Sequence, residues 1–190
     1  GNIGAVYLRE LYDCLYSNLD PSKLGTAEAF YAEATLSPQA HACLDWWERA
    51  LTRGLACSVQ VRDESTAVVT WGDGSGTGSG GSVDFLASDF TKLGPSEDWM
   101  GSWEGPPGES SNWRKLRTLL EVLRKEDIPS SRYRGKRLFY FTDNTTTYFA
   151  VSSGSSTAPS LHDMVEKIKQ LELELDIILE VVHVPGTTII

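Results

Sequence analysis

The sequence holds three cysteines in 190 residues, Cys14, Cys43 and Cys57. They are too few and too scattered for a disulfide framework. His41 and Cys43 stand two apart, but no second pair completes a zinc-ligand spacing. Buried thiols in an intracellular, reducing compartment (cytoplasm or nucleus) are the reading this leaves. Long apolar runs are missing too. None approaches the roughly 18 to 20 residues that cross a bilayer, and no basic-then-apolar segment opens the chain, so membrane and secretory classes are set aside. Positive charge is scarce: 17 Lys and Arg face 26 Asp and Glu, for a net charge of -9 and a pI near 4.8. Indiscriminate binding to nucleic acid through bulk charge is thereby excluded, and only local basic patches stay available for it.

What is present is an ordinary soluble composition, 41% hydrophobic and 23% charged, enough for about one domain and an extension. Val6, Leu8, Leu11, Leu15 and Leu19 keep a helical period until Asp20-Pro21-Ser22 breaks it. Ser37 and Pro38 supply an N-cap and first-turn pair for a second helix, whose Leu44, Trp47 and Leu51 share one face as far as Gly54. The adjacent Trp46 and Trp47 read as packing anchors.

After residue 57 the pattern changes. Val59–Val61 and Ala67–Trp71 read as strands parted by a polar turn, and Val83–Leu86 as another. Between them six glycines occupy residues 72–81, which predicts the flexible connection of a long hairpin. Residues 91–112 read as an irregular polar segment. Ser110 or Ser111 caps a helix whose Leu116, Leu119, Leu120 and Leu123 form a stripe ending before Pro129. Arg137–Thr142 is apolar almost throughout, as suits a strand buried on both faces. Ser160-Leu-His-Asp163 suggests a capping box for a helix carrying Met164, Ile168, Leu171 and Leu175, and Ile177–Val184 is a final strand. Strands interleaved with helices predict an α/β domain, a mixed sheet flanked by helices, behind a helical N-terminal extension. Leu116, Leu120, Phe139, Phe141, Ile168 and Val182 are its expected core.

Gly76-x-Gly78-x-x-Gly81 matches a dinucleotide fingerprint only in form. A strand follows it where a helix N-terminus is needed, so no nucleotide cofactor is expected. Asp73 and Asp143 each close an apolar strand. If those strands are neighbours, the two carboxylates repel and invite a divalent ion, and two ions ~3.5–4 Å apart can clamp a phosphoryl displacement. Equally, each Asp can simply cap a strand-to-loop turn.

Four segments resemble ribonuclease H. They are Val68-Val-Thr-Trp-Gly-Asp73-Gly-Ser with Gly80-Gly81, Ser111-Asn112-Trp113-Arg114-Lys115-Leu116, Phe141-Thr142-Asp143-Asn144 and His183-Val-Pro-Gly186. Their wording is most similar to the ribonuclease H-like domains of retrotransposon reverse transcriptases, of the Ty3-like or tyrosine-recombinase (DIRS-like) groups. Residues 1–57 resemble the helical connection segment ahead of that domain, leaving 58–190 as the domain itself, with its C-terminal part truncated. The resemblance implies a ribonuclease H-like fold, hydrolysis of RNA in an RNA–DNA hybrid, Mg²⁺ or Mn²⁺ as cofactor, and the polymerase part of the same polyprotein as partner.

By the same resemblance Asp73 and Asp143 are the catalytic, metal-holding pair at the strand ends. The family's helix Glu falls at Lys115, with Glu109 a displaced substitute, and its fourth carboxylate would follow the His-Val-Pro-Gly segment. Lys for Glu loses an attraction to the metal and adds a repulsion, so the ion is expected to bind weakly and cleavage to be impaired. Asn112, Arg114, Asn144, Arg132, Arg134 and Lys136 are candidate nucleic-acid contacts, although solvated surface charge accounts for the basic ones equally well. His162 and His183 are expected to be structural or surface residues. Two readings follow: an impaired hybrid-cleaving domain, or a non-catalytic scaffold that engages a protein partner.

Overall fold

The computed structural model describes residues 3–23, 26, 33, 35–53, 66–103, 109–124 and 132–186. The chain divides into two compact units, the smaller being Gly4–Gln60. In it α1 (Ile3–Asn18) is followed by one 3-10 turn, Pro21–Lys23, and then by α2 (Pro38–Thr52). The α2 start is set as the sequence implies: Pro38 occupies the first turn and the Ser37 hydroxyl accepts from Ala40 N at 3.1 Å. The buried face differs from the expected one. Ala40, Cys43 and Ala50 are buried, whereas Leu44 and Leu51 are exposed. Tyr7 stacks on Trp46 at 4.0 Å, and Trp46 meets Trp47 edge-on at 5.3 Å, so both indoles are packing residues.

In the larger unit β1 (Thr66–Gly74) and β2 (Gly78–Ala87) pair antiparallel, with Val68 opposite Phe85 and Gly74 opposite Ser79. β3 (Glu97–Ser102) adds antiparallel to β2, while β4 (Arg137–Thr142) and β5 (Ile178–His183) extend the other side of β1 as parallel strands. The order is β3-β2-β1-β4-β5. With α3 (Ser111–Arg124), α4 (Thr145–Ser153) and α5 (Pro159–Glu174) alongside, this is a mixed sheet flanked by helices, the α/β architecture that the order of strands and helices implies. Among the described residues no helix is long and apolar enough to cross a membrane.

Several expectations are corrected here. The glycine run is not a loose connection: Gly72, Gly74, Gly78, Gly80 and Gly81 lie within β1 and β2, and only residues 75–77 turn. β3 lies where an irregular segment was expected, anchored by the buried Trp99. Arg137–Thr142 is an interior strand, but just one of its faces is fully covered. Leu138, Tyr140 and Thr142 are buried; Phe139 and Phe141 are half-buried, as is Val182 on β5. Leu116, Leu120 and Ile168 are core as expected. α4 was not foreseen. Asn144 caps its start and Gly154, in the left-handed region at φ 71°, ends it. α5 begins at Pro159 with Ala158 as an N-cap that makes no side-chain bond, so Ser160 is not a cap. The strand expected at Val59–Val61 lies outside the described residues.

β5 is an edge strand whose outward backbone is partly sealed. Ile178 N and Val184 N donate inward to Lys136 O and Thr142 O, so by the two-residue period of a strand Leu179 N points away from β4. It donates to Glu172 Oε1 of α5 at 3.2 Å, and Glu172 Oε2 is held by Lys169 at 2.9 Å. Both side chains are at least nine-tenths buried. A charged side chain thus occupies an edge that would otherwise invite another strand.

Candidate functional site

β1 and β4 run parallel as neighbours, with Trp71 opposite Phe141, so Asp73 and the residue just past β4, Asp143, emerge at the same end of the sheet. The β1 backbone brings a helix to that point. A Cβ on Gly74 would stand 2.7 Å from Thr118 Oγ1 and 2.8 Å from Arg114 O, both of α3. Without a Cβ at Gly74, α3 lies directly against the strand. Ser110 starts the helix, its hydroxyl accepting from Trp113 N at 3.2 Å. The leucine stripe (Leu116, Leu119, Leu120, Leu123) is buried, each side chain worth about 1.5–3 kcal/mol. That burial fixes the helix rotation and sets Lys115, on the flank of the stripe, over the strand ends.

Lys115 Nζ lies 2.6 Å from Asp73 Oδ1 and 3.0 Å from Asp143 Oδ1. The two carboxylate oxygens are therefore no farther apart than those two contacts laid end to end. Lys115 is mostly buried, Asp143 partly exposed and Asp73 mostly in solvent. Solvent screening weakens the Asp73 contact toward the ~0–1 kcal/mol of a surface pair. Burial alone would depress the ammonium's pKa, but its hydrogen bonds to Asp73 and Asp143 and their charges outweigh this and raise it. The ammonium stays protonated where it stands.

Tyr140 forms the floor, its hydroxyl donating to Gly72 O at 3.4 Å, and burial, followed by the charges of Asp73 and Asp143, pushes its pKa upward. Asn144 joins the two elements that carry the site. Its amide donates to Asn112 Oδ1 on α3 at 2.8 Å, while its own Oδ1 accepts Thr147 N at 2.7 Å to cap α4. The loop after β5 forms the last wall: a Cβ on Gly186 would stand 3.5 Å from Asp143 Oδ2. His183 is exposed at the end of β5, its ring 6.3 Å from that of Tyr148; His162 is buried within α5.

The arrangement does not suit a divalent ion. Among the described residues no three His, Cys, Asp or Glu side chains gather, so Glu109 does not join Asp73 and Asp143 as a substitute ligand. Glu109 instead offers its backbone carbonyl to Arg114 Nη1. Among the described residues the group set between the two aspartates is a cation on a tether, in the place an ion would need. Nor do Arg132, Arg134 and Lys136 converge on the pair. Arg132 forms an ion pair with Glu97 and lies 3.8 Å over the Phe85 ring, with Lys136 Nζ 5.7 Å from the same ring. Arg134 is exposed in the same turn. These three precede β4, so the strand's length, about 20 Å at ~3.3 Å per residue, parts them from Asp143. Of the six nucleic-acid candidates, Asn112, Arg114 and Asn144 lie at the carboxylate end and Arg132, Arg134 and Lys136 at the other.

No protein-family description and no curated protein matches the sequence. Solved structures that resemble the fold include RNase H1 from the halophilic archaeon Halobacterium salinarum, 13% identical over 64% of this chain and 88% of that one, with a TM-score of 0.48. LC11-RNase H1 in complex with an RNA/DNA hybrid is 15% identical over 63% of this chain and 86% of its own, with a TM-score of 0.48. The N-terminal RNase H domain of a Mycobacterium tuberculosis protein is 15% identical over 65% and 86%, with a TM-score of 0.44.

Proposed function

We propose that the chain is the ribonuclease H-like domain of a retroelement reverse transcriptase, of the Ty3-like or DIRS-like groups, preceded by its connection segment, and that Lys115 holds the carboxylate site shut. In this reading metal-dependent hydrolysis of RNA in an RNA–DNA hybrid is lost or severely impaired. The domain then serves as a non-catalytic module that engages the polymerase part of its polyprotein or another protein. The observation that carries it is the Lys115 ammonium within hydrogen-bond distance of both Asp73 and Asp143. Those two side chains are the nearest to a metal-binding pair in the motif series, and the ammonium already supplies part of the charge that an ion would bring. The four motifs in order support the origin; the position of Lys115 supports the loss of chemistry.

The test is cleavage of an end-labelled RNA–DNA hybrid in Mg²⁺ and in Mn²⁺. The unmodified chain is expected to release no more product than a protein-free control. Cleavage that disappears in Asp73→Asn and Asp143→Asn variants would show that the site works despite Lys115, and the non-catalytic reading would fall.

A further inference from the structure

On the helix side of the sheet a cleft of about 300 Å³ opens between β2, β3 and α3. Trp103, 9% exposed, lines it, and its indole Nε1 is buried without a hydrogen-bond partner. A buried donor left unmet costs about 1–3 kcal/mol, so an acceptor that reached this N–H at the cleft wall would relieve that cost. The guanidinium of Arg117 lies 5.6 Å from the ring centre of Trp103 and 5.0 Å from that of Trp113. Glu121 Oε1 holds its Nε at 3.3 Å. These indoles already have their cation, so the cleft is not a cage for a second one.

The opening is at Gly101, where a Cβ would meet no atom within 4 Å. A flat ring can therefore lie against the strand backbone. Ser79 and Glu121 also line the cleft, and their side chains are of types that offer a hydroxyl donor and acceptor and a carboxylate acceptor. Ser79, Gly101 and Ser102 also wall a wider groove of about 530 Å³ that reaches Asp73.

We infer that this cleft binds an unpaired nucleobase. A base brings a planar face for the indole and the guanidinium plane, an edge acceptor for Trp103 Nε1, and in cytosine or adenine an exocyclic amine for Glu121. The inference stands on the cleft and does not depend on the state of Lys115.

The test follows the six tryptophan indole N–H signals by heteronuclear NMR during titration with cytidine, then with a short single-stranded oligodeoxycytidine. Trp103→Phe assigns the signal. The Trp103 resonance is expected to shift and saturate with millimolar cytidine, about the affinity of one small ligand, and with less oligonucleotide. Gly101→Leu, which fills the opening where nothing is met, should weaken oligonucleotide binding at least tenfold, and Gly101→Ala by less, both with native thermal midpoints. Trp103→Phe should weaken it at least threefold by anisotropy of the labelled strand. An unmoved Trp103 signal, or a Gly101→Leu protein that binds as well as the native chain, would overturn the inference. Neither outcome bears on hybrid cleavage, which is read separately with the carboxylate variants.

Discussion

Lys115 and Asp143 are 28 residues apart in sequence and 3.0 Å apart in space, and the same ammonium reaches Asp73 at 2.6 Å. Exchanging that ammonium for a carboxylate reverses the electrostatics of the site. Lys115→Glu would gather three carboxylates about one point, with no cation to balance them unless a divalent ion binds. Charges ~4 Å apart interact by about 4 kcal/mol at an effective dielectric of ~20, and a gain of only ~1.4 kcal/mol is tenfold in affinity. The variant is expected to bind Mg²⁺ at least tenfold more tightly than the native chain by calorimetry. Its melting temperature should fall in chelator and recover in Mg²⁺. Tight Mg²⁺ binding by the native chain, unaltered in the variant, would mean that Lys115 does not control the site.

Alkaline pH should also act on this end of the sheet. The ammonium of Lys115 is raised above its ordinary 10.5, and the buried Tyr140 hydroxyl above its ordinary 10.0. Above pH ~10 the unfolded chain releases protons that the folded chain retains, so the folded state binds more protons and stability falls as pH rises. The stabilisation is complete below those ordinary values and is lost as pH climbs through the raised ones. Thermal midpoints are expected to drop above pH ~10, and both Lys115→Met and Tyr140→Phe should flatten the slope. A midpoint that stays level on the alkaline side would contradict the contacts of Lys115 and Tyr140.

Much of this site was legible because its signals are local. Apolar strands ending in Asp73 and Asp143 and a serine before a leucine stripe follow from spacing of two and of 3.6, whereas Lys115 is singled out only by the resemblance to ribonuclease H. The glycine run misled because glycine content reads as freedom, whereas here neighbouring backbone and α3 press on it from both sides. α4 escaped because its sequence, TTTYFAVSS, carries no apolar stripe. Its signals were the caps, Asn144 and Gly154, nine residues of helix apart. The α2 face departs from the leucine period because the residues it buries, Ala40, Cys43 and Ala50, are small side chains that carry little hydrophobic signal. The bond from Asn144 to Asn112 and the seal of Glu172 on Leu179 join residues by tertiary geometry, for which sequence spacing offers no cue.

The Lys169–Glu172 pair yields a prediction about the β5 edge. Glu172→Ala leaves Lys169 buried without its partner and Leu179 N without an acceptor. Losing one half of a buried ion pair costs about 3–5 kcal/mol, and chemical denaturation should show a loss in that range. Replacing both residues, as Lys169→Met with Glu172→Leu, removes the lone charge but still abandons the Leu179 N–H. The double variant should recover only in part and stay ~1–3 kcal/mol below the native chain. Full recovery would mean that Glu172 contributes nothing at the strand edge.

The glycine strip can be tested at two positions with opposite expectations. A Cβ on Gly81 would lie 2.1 Å from Trp71 O and 2.8 Å from Gly72 Cα, so Ala there must push β2 away from β1. Rigid backbone cannot yield as a long side chain can, and overpacking of this kind costs about 1–3 kcal/mol or more. Gly76 sits in the exposed turn, and a Cβ there meets nothing within 4 Å. Gly76→Ala should fall within ~0.5 kcal/mol of the native chain, or stabilise it slightly by restricting the unfolded state. Denaturant midpoints for the two variants are thus expected to separate clearly, with Gly81→Ala the lower. If Gly81→Ala were as stable as Gly76→Ala, Gly81 could not lie opposite Gly72. The β1–β2 register that aims Asp73 at Lys115 would then be wrong.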